Sequence, residues 1–232
     1  MTGLASAPQA ATSAPDWSDT SIAPPFATVV CVADATSAGQ AARRQAAALA
    51  AGGGTVRSVV APPSAWRNHD AVLQLADGAD MLVLGPGTVS ETILEHMWMP
   101  VLLSRWLPVD ADIADRILLV VDQSVEPDRA AETAASIATL HDGEVIILPS
   151  LARDYDLQRS MAASSRIVLE VSGAWPEVFG EEVVREAAVA AAVRDAGASL
   201  LALLLGDTTD ARAAAVSMAR HVTCPVLAIP SR

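Results

Sequence analysis

The chain has 232 residues, 52% of them hydrophobic, and a formal net charge of −12. That length buries one large core or two small ones. An acidic balance with no basic stripe excludes a phosphate-backbone partner, so no nucleic acid is expected. No apolar run approaches the roughly 18 residues of a membrane span, so no membrane association is expected either.

Residues 1–25, "MTGLASAPQAATSAPDWSDTSIAPP", have no positive segment and no apolar stretch. A secretory leader is therefore not expected; the segment reads as a disordered tail, and the cytoplasm as the address. "ATVVCVADAT" (27–36) then predicts a buried strand ending at Asp34. An Ala-rich helix follows, with Gly52 placed to cap its C-terminus. "TVRSVVAP" predicts a second strand, and residues 67–78 a helix with Val72, Leu75 and Ala76 on one face. "GADMLVLG" (78–85) is a strand ending in Gly85, "TVSETILEHM" a short helix, and "MPVLLSR" (99–105) a final strand opened by Pro100.

From residue 116 the same series recurs. "RILLVVDQS" (116–124) is a strand ending at Asp122. Its helix is opened by Pro127 and closed by Gly143, and "EVIILPS" is the next strand. "GASLLALLLG" (197–206) ends in Gly206, "ARAAAVSMARHV" puts Ala215, Met218, Ala219 and Val222 on one helix face, and "CPVLAIPSR" (224–232) closes the chain. Asp34 and Asp122 are 88 positions apart, whereas Gly85 and Gly206 are 121 apart. The surplus lies mostly in residues 151–180, which read as a helix followed by a strand at Arg166–Val171.

Apolar strands alternating with helices predict an α/β protein of two doubly wound parallel-sheet domains. The expected organisation is a tail at 1–25, a shortened repeat at 26–106 lacking one edge α-β unit, a linker at 107–115 and a full repeat at 116–232. The two repeats are expected to pack as an intramolecular pseudo-dimer through Pro100–Ser104 and Pro225–Ile229, each an apolar sheet edge.

All 15 basic residues are arginine, so a P-loop, a Schiff-base lysine and a lysine general base are excluded. His69, His96, His141 and His221 have no ligand spacing, and no metal site is expected. Cys31 and Cys224 sit in apolar runs and read as buried strand residues rather than a disulfide. Trp98 and Trp106 bracket the final strand of the first repeat, where they could bury the junction or serve ordinary core packing.

Three features occur in order, twice: a first strand ending in Asp-x-Ser/Thr, a penultimate strand ending in Gly, and a final Cys/Met-Pro-Val-Leu strand. In them the chain resembles a tandem universal stress protein. The resemblance covers residues 27–105 and 116–230. It implies the strand order 3-2-1-4-5, so that the missing element of the first repeat is an edge strand. In the nucleotide-binding branch of that family, Gly, two residues, Gly, nine residues and Gly-Ser/Thr form a phosphate loop. Here "GPGTVSE" keeps Gly85, Gly87 and Thr88 but lacks the loop between them. Gly206 runs directly into "DTTDARAAA", with Arg212 and Ala213 where the last Gly-Ser pair belongs.

The candidate ligand-binding residues are consequently Asp34, Thr36, Gly85, Gly87, Thr88, Asp122, Ser124 and Gly206. Each has a plainer alternative. Asp34 with Thr36, and Asp122 with Ser124, could contact a nucleoside or simply cap the next turn. Gly87-Thr88 could receive a phosphate, or Thr88 and Glu91 could form a capping box that places negative charge where an anion would sit. No catalytic constellation is readable. The resemblance implies a non-enzymatic regulatory or scaffold protein with an unidentified protein partner and with ATP binding weakened or lost. The alternative is a stress sensor that binds AMP or ATP; no other cofactor is expected.

Overall fold

Leu82, Val83 and Leu84 are apolar on both faces of their strand, as are Leu118, Leu119 and Val120, and such strands need helices on both sides of the sheet. The computed structural model supplies them. It describes residues 24–60, 69–86, 91–121, 128–149, 155–180 and 186–231. In the first half, β1 (Thr28–Ala33), α1 (Ser37–Leu49), β2 (Thr55–Val60), α2 (His69–Leu75), β3 (Met81–Leu84), a 3₁₀ helix (Glu91–His96) and β4 (Val101–Leu103) follow one another. The second half contains β5 (Arg116–Val121), α3 (Asp128–Leu140), β6 (Glu144–Pro149), α4 (Tyr155–Ser172), β7 (Glu177–Val178), α5 (Glu186–Asp195), β8 (Leu200–Leu205), α6 (Thr209–His221) and β9 (Val226–Pro230).

All nine strands form one sheet in the order β2-β1-β3-β4-β9-β8-β5-β6-β7. Every pairing is parallel except β4 with β9. That pair sets Leu102 opposite Leu227 and Val101 opposite Ala228, all of them completely buried. The order β7-β6-β5-β8-β9 is 3-2-1-4-5, and β2-β1-β3-β4 is the same order without its first member. α2, the 3₁₀ helix, α5 and α6 share a core with Val30, Leu82, Leu84 and Val226 on one face of the sheet. On the other face, α1, α3 and α4 share a core with Val29, Cys31, Val83 and Leu227.

Several sequence expectations change. Arg166–Val171 is not a strand but part of α4. Leu157, Ser160, Ser164 and Val168 are buried at three- and four-residue spacing along that helix, which is the period that burial against α3 rewards. The edge strand is Glu177–Val178, paired with Ile146 and Ile147. The final helix of the first half is a six-residue 3₁₀ helix. At the end of α3, Asp142 takes the left-handed conformation (φ 55°), not Gly143. Gly143 is needed instead for space, because a Cβ there would lie 1.9 Å from the Ala114 carbonyl oxygen. Trp98 and Trp106 are 59% and 74% exposed, so neither buries the junction nor fills a core.

Among the described residues β2 has no outer neighbour, and its residues answer to that. The registers align Val56, Arg57, Ser58 and Val59 of β2 with Val145, Ile146, Ile147 and Leu148 of β6. All four β6 residues are buried, whereas in β2 Arg57 and Ser58 are exposed. Arg57 turns to α2, donating to the carbonyls of Leu75 and Asp77 at 2.9 Å each.

Val72 in α2 and Ala76 just beyond it are buried, while Leu75 at the helix end is only half-buried. Val72→Asp should therefore lower stability by about 3–5 kcal/mol, because it buries an unpaired charge. Leu75→Asp should cost distinctly less. Denaturant melts followed by circular dichroism compare the two, and equal losses would contradict this packing.

Candidate functional site

The C-terminal ends of β1 and β3 lie side by side. The Gly85 N–H donates to the Val32 carbonyl at 2.9 Å, so the glycine that ends β3 is buried beside the end of β1. Two residues beyond Val32, Asp34 begins the turn into α1. Its Oδ1 accepts from the Thr36 N–H at 3.0 Å and from the Thr36 hydroxyl. The Thr36 Oγ1 in turn accepts from the Gly39 N–H at 3.3 Å as the N-cap of α1. A Cβ on residue 39 would fall 2.1 Å from the Asp34 carbonyl oxygen, so only glycine allows this close approach. Arg43 reaches back from α1 and donates to that same oxygen at 2.8 Å.

Asp34 and Thr36 thus act on their own turn. The Thr36 hydroxyl and N–H hold the Asp34 carboxyl below the usual carboxylate range, and the Arg43 guanidinium adds to the effect. Of the other expected site residues, Gly87, Thr88, Asp122 and Ser124 lie outside the described residues.

Gly206 ends β8. Because β4 and β9 run antiparallel, the C-terminal strand ends of the two halves face opposite ends of the sheet, and Gly206 is brought nowhere near Asp34 or Gly85. It is buried beneath Arg212. The Arg212 Nε donates to the Gly206 carbonyl at 3.1 Å. Its Nη1 lies within 2.8 Å of the Met97 carbonyl, 3.1 Å of that of Glu95 and 3.3 Å of that of Leu94. One guanidinium therefore ties the end of β8 to the carbonyls that finish the 3₁₀ helix of the other half, where a cation suits the negative helix end. Thr208 caps α6 by accepting from the Ala211 N–H at 3.2 Å. Asp207 and Asp210 flank that cap, and Asp207 Oδ1 accepts from the Ser231 hydroxyl at 2.5 Å.

At the other end of the sheet, Arg105 mirrors this arrangement. It pairs with Glu91 at 2.6 Å and donates to the Ala219 carbonyl of α6 at 3.4 Å. Glu91 is thus neutralised by Arg105 rather than left as an isolated negative charge. Sequence reading placed Arg212 where a Gly-Ser pair belongs but did not see what it holds, and it missed Arg105 altogether. A lone arginine after a strand carries no signal of a partner 114 residues away.

The remaining reactive groups are quiet. Burial pushes the Cys31 thiol up to about 11 and the Cys224 thiol up to about 12, so neither is a thiolate nucleophile at neutral pH. No group of three His, Cys, Asp or Glu among the described residues could hold a metal ion.

Two measurements test this geometry. Arg212→Met should cost about 1.5–3 kcal/mol, the scale of losing hydrogen bonds to a charged group. Arg212→Lys should recover only part of that, since an ammonium lacks the planar fork. Equal stability of all three proteins in urea would refute the clamp. In an NMR titration, the Asp34 carboxyl should titrate below the ordinary value of about 3.9, and Thr36→Val should move it upward. A folded-state value held low adds stability above the unfolded-state value, and that stability is lost as pH falls through the folded one.

No protein-family model matches the chain, and no curated protein matches it. Solved structures do. A universal stress protein from Archaeoglobus fulgidus aligns over 90% of this chain and 98% of its own, with a TM-score of 0.59 and 16% identity. A protein of Pseudomonas aeruginosa UCBPP-PA14, assigned provisionally to the universal stress proteins, aligns over 88% and 93%, with a TM-score of 0.56 and 13% identity. A functionally unknown protein from Pseudomonas aeruginosa PAO1 aligns over 88% and 92%, with a TM-score of 0.56 and 12% identity. A mostly parallel nine-stranded sheet covered by helices on both faces, matched over nearly the whole length of such a relative, means that this chain has the universal stress protein fold.

Proposed function

We propose that the chain is a universal stress protein-like regulatory or scaffold protein that catalyses no reaction and binds ATP weakly or not at all. The observation that carries this reading is Arg212. Where a phosphate loop would present open backbone N–H groups, the helix start is capped by Thr208, flanked by Asp207 and Asp210, and covered by a guanidinium committed to carbonyls. An anion arriving there meets two carboxylates, an Ala211 N–H already taken by the Thr208 cap and a guanidinium already engaged with carbonyls. The two highly buried thiols favour a non-catalytic role. Partners are then proteins that read its surface, and the cytoplasm remains the proposed address. No described helix is long and apolar enough to cross a membrane.

A second reading, an adenine-nucleotide sensor responding to AMP or ATP, rests on a different observation. Asp34 stands next to Gly85 at the ends of adjacent parallel strands, the usual place for a ligand in a doubly wound sheet.

Calorimetry with ATP, AMP and adenosine separates the two readings. Losing two hydrogen bonds to phosphate costs about 3–6 kcal/mol, which weakens binding roughly 10²- to 10⁴-fold. ATP should consequently bind at about millimolar concentration or worse, and AMP or adenosine no more weakly than ATP. ATP binding at micromolar concentration and tighter than AMP would overturn the first reading in favour of the second.

A further inference from the structure

In the second half a helix covers a surface whose counterpart in the first half is bare. Val29, Cys31 and Ala33 of β1 face α1, and the register sets Val56, Ser58 and Val60 of β2 beside them, on the same face of the sheet. Val56 and Val60 are 37% and 65% exposed, and Ser58 is exposed as well. The residues at the matching register of β6 are Val145, Ile147 and Pro149, and all three are buried.

α4 accounts for the difference. It packs on α3 and β6 and buries Leu157, Ser160, Ser164 and Val168 at spacings of three, four and four. α1 and α3 otherwise match at the offset of 88 that separates Asp34 from Asp122. Ala42, Ala46 and Leu49 are buried in α1, as Ala130, Ala134 and Ile137 are in α3. Along one flank the match ends. Ala131 and Ala135 of α3 are completely buried, whereas at the same offset Arg43 is half-buried and Ala47 exposed. Arg43 turns its guanidinium to the Asp34 carbonyl at 2.8 Å, at the end of β1. No described helix stands over β2 as α4 stands over β6. What is left is a shelf with Val56, Ser58 and Val60 as its floor and Arg43 and Ala47 as its wall.

We propose that this shelf docks an acidic amphipathic helix of a partner protein. The shape calls for a helix, because the matching floor and wall of the second half seat α4. The charge sets its sign. α1 and β2 carry three arginines and no carboxylate, in a chain whose net charge is −12. An apolar stripe on the partner covers Val56, Val60 and Ala47, and its carboxylates lie along Arg43 and Arg44. A second copy of this chain fits poorly, since a two-fold axis through the shelf sets both arginines against their own images. The inference deepens the scaffold reading by naming the element its partner presents, and it rests on that reading only for the need of a partner.

The probe is a fluorescent peptide as long as α4, with Leu, Ala, Ala and Leu at the spacings of the α4 stripe, Glu flanking that stripe and Gln elsewhere. Anisotropy with the full chain should show saturable binding, with a dissociation constant on the order of 100 μM or tighter. The amide NMR signals of Ala47, Val56, Ser58 and Val60 should move with it. Val60→Glu and Arg44→Glu, both at exposed positions, should each weaken binding at least about tenfold, as should Lys in place of every Glu in the peptide. Val178→Glu, at an exposed valine of the opposite sheet edge, should leave the affinity unchanged. Absence of saturable binding, equal binding of the Lys peptide or unchanged affinity in Val60→Glu would overturn the proposal. Dimerisation that Val60→Glu abolishes would assign the shelf to a second copy and overturn it too. So would tighter peptide binding after removal of residues 1–23, which would assign it to the chain's own N-terminal segment. An ATP titration of the same sample tests the scaffold reading by itself: micromolar ATP binding with the helix still bound would overturn that reading and leave this one standing.

Discussion

Leu102 and Leu227 face each other across the antiparallel pairing of β4 with β9, and both are fully buried. The rest of the architecture depends on that pairing. Each of the two strands ends the parallel run of its own half, where an unpaired apolar edge would otherwise recruit another chain. Joining them makes one continuous sheet, so the cores on each face run from one half into the other. It also fixes polarity. With the two runs head to tail, the C-terminal strand ends of the halves lie at opposite ends of the sheet.

The same antiparallel arrangement explains the two arginine clamps. It brings the 3₁₀ helix and α6 alongside each other, each with its C-terminal carbonyls near the beginning of the strand that follows it. Arg212 serves the end of the 3₁₀ helix from the second half, and Arg105 serves the end of α6 from the first. A guanidinium that binds several carbonyls does for these helix ends what a glycine cap does elsewhere. Arg212 also lies at the start of α6, close to the Thr208 cap.

The shortened half shows how a sheet edge can be made tolerable. β6 is covered by α4 and paired with β7, and its middle residues are Ile146 and Ile147. β2 meets α1 but has no outer strand among the described residues, and its aligned residues are Arg57 and Ser58. The arginine folds onto α2, leaving its charge where another chain would have to displace it. Charged and polar side chains on an edge strand discourage pairing with another chain.

Much of this was legible in the chain. Strand runs such as "RILLVV" and "LLALLL", recurring in order with helices between them, determine a doubly wound parallel sheet, because each strand is apolar at every position. The glycines at 85 and 206 and the aspartate at 34 could be located at strand ends from the same runs. Arg166–Val171 could not be assigned correctly, since a short apolar run suits a strand or a buried helix face until its neighbour is known, and α3 decided for the helix. The exposure of Trp98 and Trp106 was equally invisible, since hydrophobicity does not say which loop residues find a neighbour. Above all, what Asp34, Arg212, Arg105 and Gln45 touch was decided by tertiary structure. Asp34 closes a local turn, but Gln45 reaches a carbonyl 60 residues away, and the two arginines, besides the nearer Gly206 and Glu91, hold carbonyls more than 110 residues away in the other half. The arginines' partners in the other half follow from the antiparallel meeting of β4 and β9, and a linear chain carries no periodicity that records it.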